Sequence, residues 1–125
     1  MPTYRIIDDL TPGDSYDIVR DVESLTDVVE AIASAALTIK IENTDPDAYA
    51  SVRKDITDVY SATHGELVNN VDGTATLSFT IQPSESINLE SFGKYLYDIQ
   101  VTTASGKKFT LEQGKIFTLQ NISHL

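Results

Sequence analysis

The 125-residue chain has no cysteine and no tryptophan, six glycines and four prolines, and only nine basic side chains against 19 acidic ones. Without cysteine there is no disulfide framework and no thiolate metal site; the redox compartment stays open. No apolar run reaches the length of a membrane span, and the opening MPTYRIIDD lacks the basic-then-apolar pattern of a signal peptide. A membrane partner is therefore not expected. The formal net charge of −10 argues against nucleic acid, whose binding takes a basic patch. The length predicts one domain over residues 1–125, enough for a single core.

The charge is uneven along the chain. Residues 1–62 hold 13 acidic and 5 basic side chains, residues 63–125 hold 6 and 4. A solvated acidic surface explains this. So does a polarised module that docks an acidic end on a basic neighbour or stacks head to tail with its own copies.

What the sequence does contain is period-two alternation. From Tyr95 to Thr103 the odd positions are Tyr95, Tyr97, Ile99, Val101 and Thr103, and the even ones, apart from Leu96, are polar. That pattern puts one face of a strand on a core and the other in water. Ala104-Ser105-Gly106-Lys107 supplies a turn with Gly106 free to take φ > 0. The return strand offers Phe109 and Leu111 to the same core. Gln113-Gly114 predicts a break by bulge or bend, after which Lys115 to Gln120 resumes with Phe117 and Leu119 on one face and Ile116 and Thr118 on the other. Apolar residues on both faces predict cover on both sides.

Earlier in the chain, Tyr4 to Ile7 reads as a short strand ended by Asp8-Asp9, and Thr11-Pro12-Gly13-Asp14 as a turn. Tyr16 to Val22 alternates Tyr16, Ile18, Arg20 and Val22 against Asp17, Val19 and Asp21, the acidic face toward solvent. Thr26 is placed to cap one or two helical turns reaching Ile32, in preference to a loop of β-branched residues entering the next strand. Ala35 to Glu42 is a strand with Leu37, Ile39 and Ile41 inward. Residues 43–47 form a loop leading to a helical turn near Ala48-Tyr49. Ser51 to Thr57 puts Val52, Lys54 and Ile56 on one face of an edge strand, where lysine discourages stray pairing. Glu66-Leu67-Val68 is a short strand between glycines. Thr74 to Gln82 puts Ala75, Leu77, Phe79 and Ile81 inward, and Pro83 stops it before a helical turn over residues 84–90. The fold class is all-β: about seven or eight strands with one or two short helical turns, a two-sheet sandwich in preference to a barrel.

His64 and His124 are the only histidines, too few for a zinc site. Asp8, Asp9, Asp14 and Asp17 cluster in sequence and Asp45 and Asp47 sit in a turn; calcium prefers such oxygen-rich loops, but EF-hand spacing is absent. Nothing selects one carboxylate pair for glycoside hydrolysis. There is no G-x-S-x-G elbow, and neither Gly93-Lys94 nor Gly106-Lys107 belongs to a phosphate loop. The reading is no enzyme, no cofactor and no metal. Tyr95 and Tyr97 are core or subunit-contact tyrosines in preference to a ligand-stacking pair.

One resemblance spans Pro12 to Gln120. Pro12-Gly13-Asp14-Ser15-Tyr16, then Leu25-Thr26-Asp27, then Leu37 to Lys40, then Gly73 to Thr80 with Pro83, and a Tyr95 to Gln120 ending resemble the small immunoglobulin-like β-sandwich proteins of tailed bacteriophages and prophages. The N-terminal domains of baseplate upper proteins are one branch. The resemblance implies a non-enzymatic structural protein of a virion, tail- or baseplate-associated, assembled in the host cytoplasm. Its partners would be other virion structural proteins, in a symmetric multi-copy assembly. Capsid decoration, or a carbohydrate- or receptor-binding surface module, are the alternatives. A free first strand or C-terminal tail would pair with a neighbour's sheet edge, so the candidate contact residues are Tyr4, Ile6, Tyr95, Tyr97, Ile122 and Leu125.

Overall fold

Alternating β-branched and aromatic side chains need two facing sheets to bury one face each, and the chain forms them. The computed structural model describes residues 3–22, 31–41, 51–70, 74–89 and 93–119. Its strands are β1 (Thr3–Leu10), β2 (Tyr16–Val22), β3 (Ile32–Lys40), β4 (Val52–Ile56), β5 (Gly65–Asn69), β6 (Ala75–Ile81), β7 (Lys94–Thr103) and β8 (Lys108–Thr118), with one short helix, α1 (Pro83–Ser86), between β6 and β7. One sheet runs β1-β8-β7-β3-β4 and the other β2-β6-β5. All pairings are antiparallel except β1 with β8, which is parallel. This is the strand order of an immunoglobulin-like sandwich with the extra edge strand of the variable type.

The core lies between the sheets. Leu37, Ile39, Leu77, Phe79, Ile81, Ile99 and Val101 are fully enclosed. β6 and β7 bury the alternate residues that their sequence assigns inward, and Asp17, Val19 and Asp21 of β2 face solvent as expected. Gly106 takes φ 91° in the β7–β8 turn.

Several expectations need correction. β8 is not broken at Gln113-Gly114: it pairs continuously with β7, and the extra residue is Leu111, between Thr110 opposite Gln100 and Glu112 opposite Ile99. One inserted residue reverses which side chains point inward. Glu112, Ile116 and Thr118 are therefore buried, whereas Phe117 and Leu119 are partly exposed; Phe109, expected in the core, is 44% exposed. Gly114 is a place of close approach, since a Cβ there would lie 1.7 Å from the Arg5 carbonyl oxygen. β1 is longer than read and is no free arm, being paired with β8 over Thr3 to Leu10. β3 begins at Ile32 and ends at Lys40, so Ile41, expected inward, lies exposed. Of the proposed helical turn reaching Ile32, residues 26–30 lie outside the described residues, as do Glu42, the loop at 43–47 and the turn at 48–49.

Candidate functional site

Two polar arrangements cross the sandwich interior. The first surrounds Glu112, which the Leu111 bulge turns inward. Its Oε1 accepts from Arg20 Nε of β2 at 2.7 Å and lies 3.3 Å from Arg5 Nε of β1, while its Oε2 accepts the Tyr97 hydroxyl of β7 at 2.6 Å. Arg20 of β2 and Glu112 of β8 thus tie the two sheets together through the interior. Burial raises the Tyr97 pKa, and the bond to Glu112 raises it further. For Arg20, burial opposes the charge, and the hydrogen bond and charge of Glu112 outweigh it, raising its pKa. Near the surface, burial and a 2.5 Å bond to Asp9 raise the pKa of Tyr16 in the same sense.

The second centres on Lys54. It was expected to guard an edge. β4 is indeed the edge strand, yet Lys54 points inward and is 2% exposed, with its ammonium on Glu85 and 2.7 Å from the Thr63 carbonyl oxygen. Glu85 also accepts the Gln82 N–H at 3.0 Å, at the start of α1. Ser86 of α1 accepts from Gly13 N–H at 2.9 Å and donates to the Asp14 carbonyl at 2.7 Å. These groups all have structural partners, which suits a clamp.

The available surface is the outer face of the five-stranded sheet. Register places Tyr4 beside Gln113, Gln113 beside Asp98 and Asp98 beside Thr38, and in the next row Ile6 beside Lys115, Lys115 beside Leu96 and Leu96 beside Lys40. Between them lies an open hollow of about 260 Å³ whose lining includes Tyr4, Lys40, Leu96, Asp98, Gln113 and Lys115. Tyr4 and Ile6 are 57% and 58% exposed, and Phe117 adds a partly exposed ring. Apolar side chains rimmed by lysines are the makings of a contact surface.

Of the six candidate contact residues, Tyr4 and Ile6 stand on this face. Tyr95 and Tyr97 do not: both are buried between the sheets, at 5% and 4% exposure. The structure thereby corrects their assignment as contacts, because odd positions of β7 all point inward. Ile122 and Leu125 lie outside the described residues. Sequence reasoning missed Lys115 and Phe117, whose facing depends on the bulge, and Leu96, the apolar residue at an outward position of β7. It also missed Glu112, for which no local pattern signals burial. His64 sits in the turn before β5 with a buried, unpartnered Nδ1, and no group of three or more potential metal ligands occurs among the described residues.

No protein-family model and no curated protein matches the chain. Among solved structures it is similar to a 2,6-sialyltransferase from Photobacterium sp. JT-ISH-224 at 10% identity and a TM-score of 0.38, over 95% of this chain but only 18% of the enzyme. It is also similar to murine CRIg at 12% identity and a TM-score of 0.40, over 96% of this chain and 93% of that one.

Proposed function

We propose that the chain is a non-enzymatic contact module, a structural protein that works through the outer face of its five-stranded sheet in a multi-copy assembly. A phage virion, with its tail or baseplate, is the setting implied by the resemblance stated above. The observation that carries the reading is the exposed Tyr4, Ile6 and Phe117 around the lysine-rimmed hollow, on a sheet whose interior polar groups are occupied by structural bonds. Shallow apolar ground of this kind suits a protein surface better than a small ligand, which prefers enclosure.

Photo-crosslinking residues introduced at Gln100 and Lys115, in the chain produced in its native host, test the proposal. The expected result is adducts with protein of discrete mass. A glycan-bound monomer with no protein adducts from either position overturns it.

A further inference from the structure

We propose that copies of this chain stack on one another, the outer face of the five-stranded sheet of one copy seated on the outer face of the three-stranded sheet of the next. This rests on the contact-module reading and names the partner as a second copy.

The nine basic residues are not spread evenly over the fold. Arg5 and Arg20 point to Glu112, Lys54 to Glu85, and Lys107 lies in the hairpin turn. The remaining five, Lys40, Arg53, Lys94, Lys108 and Lys115, all fall on the outer face of the five-stranded sheet, where register pairs Thr38 with Arg53, Lys94 with Phe117 and Thr102 with Lys108. Asp55, which pairs with Arg53 at 3.4 Å, and Asp98 are acidic positions among them, and exposed Asp8 follows inward-facing Ile7 on β1. The opposite outer face is the reverse. Asp17, Val19 and Asp21 of β2 stand beside Thr80, Ser78 and Thr76 of β6, which stand beside Glu66 and Val68 of β5. No basic residue occupies any of those positions.

Each face also carries exposed apolar side chains: Tyr4, Ile6 and Phe117 on the basic one, Val19 and Val68 on the acidic one. Pairing two basic faces would set lysine rows against each other, and pairing two acidic faces would do the same with carboxylates. Only unlike faces bring opposite charges together. Such a contact is heterologous and repeats, giving a ring or an open file.

Its strength can be bounded. Three strands about 4.8 Å apart and about seven residues long present roughly 300 Å² of flat footprint. That is at the weak end for a protein interface, and the net charge of −10 on each copy opposes approach. The contact is therefore reversible, salt-sensitive and dependent on concentration or on multivalent display.

Sedimentation velocity of the full chain at rising concentration, in about 20 mM and about 500 mM salt, reads it directly. The expected result is mass rising with concentration at low salt and monomer at high salt. Lys94→Glu/Lys115→Glu and Asp17→Lys/Glu66→Lys each weaken association by roughly tenfold or more alone, and an equimolar mixture of the two restores it. If either variant loses its native unfolding transition, Lys108→Glu and Asp21→Lys serve as the second pair. Wild-type chain that stays monomeric at low salt, or a folded mixture that does not reassociate, overturns the stacking. Adducts with a different protein from Gln100 and Lys115 would still leave the contact-module reading standing, so the two failures are told apart.

Discussion

Glu112 shows how much a single side chain depends on its partners. Its carboxylate is almost wholly removed from water and serves two guanidiniums and a phenol. Such a group is a poor source of net stability but expensive to disrupt, because each remaining partner then keeps an uncompensated polar group in the interior. Glu112→Gln is expected to cost about 3 kcal/mol in urea denaturation, the low end for a broken buried pair, because Arg20 keeps 21% of its side chain exposed. Replacing the whole set, Arg20→Met/Tyr97→Phe/Glu112→Leu, is expected to recover stability to within about 1 kcal/mol of the parent. Tyr97 adds a pH signature. Its pKa is raised in the folded chain, so stability is complete below the ordinary phenol value of about 10 and is lost as pH climbs above it, where the unfolded chain releases a proton that the folded chain retains. Unfolding free energy should fall above about pH 10 by up to about 1.4 kcal/mol per pH unit from this group. The slope should be shallower in Tyr97→Phe, measured by denaturation from about pH 8 to about pH 11.

β8 is the element on which the surface turns. With Leu111 as an extra residue, Glu112, Gly114, Ile116 and Thr118 face the core, and Gln113, Lys115 and Phe117 face outward. Alternation alone could not show this, since Ile116, Phe117, Thr118 and Leu119 read equally well in either phase. Bulge position is set by how β7 and β1 pair on either side, a non-local matter. Gly114 was legible as a special position but its reason was not: β1 passes so close that a methyl group would meet the Arg5 backbone. Gly114→Ala should therefore loosen β1 from β8, with a cost of about 3 kcal/mol and faster amide exchange confined at first to β1. Unchanged exchange in β1 would show that the strand tolerates the shift. By contrast β6 and β7 carry unambiguous alternation, and each of their inward residues was readable in advance.

Taken whole, the molecule is two sheets of unequal width held by an apolar core and two buried ionic ties. Central strands have a neighbour on both sides; β1, β4, β2 and β5 stand at sheet edges. Amide exchange should accordingly be slowest in β7 and β6 and fastest in β1, β4 and β5. Protection of β4 equal to that of β7 would contradict this layout, or show that an edge is covered in solution. The two outer faces carry opposite charge, and this is a property of neither half of the chain. β2 and β5 supply the acids of one face, while β3, β4, β7 and β8 supply the bases of the other.

The amino-acid order was sufficient for the class of the protein. Period-two burial and glycine at the tight turn depend on residues near one another in the chain, and they predicted a two-sheet sandwich. It was not sufficient for the surface. Which side chains share a face depends on strand register, on one bulged residue and on which strands become neighbours, and these are settled by contacts between segments far apart in sequence. Hence Tyr95 and Tyr97, plausible contacts by composition, lie inside. Lys54, plausible as an edge guard, is buried on Glu85. The lysines of β3, β7 and β8 gather with Arg53 of β4 on one side because the sheet brings them there.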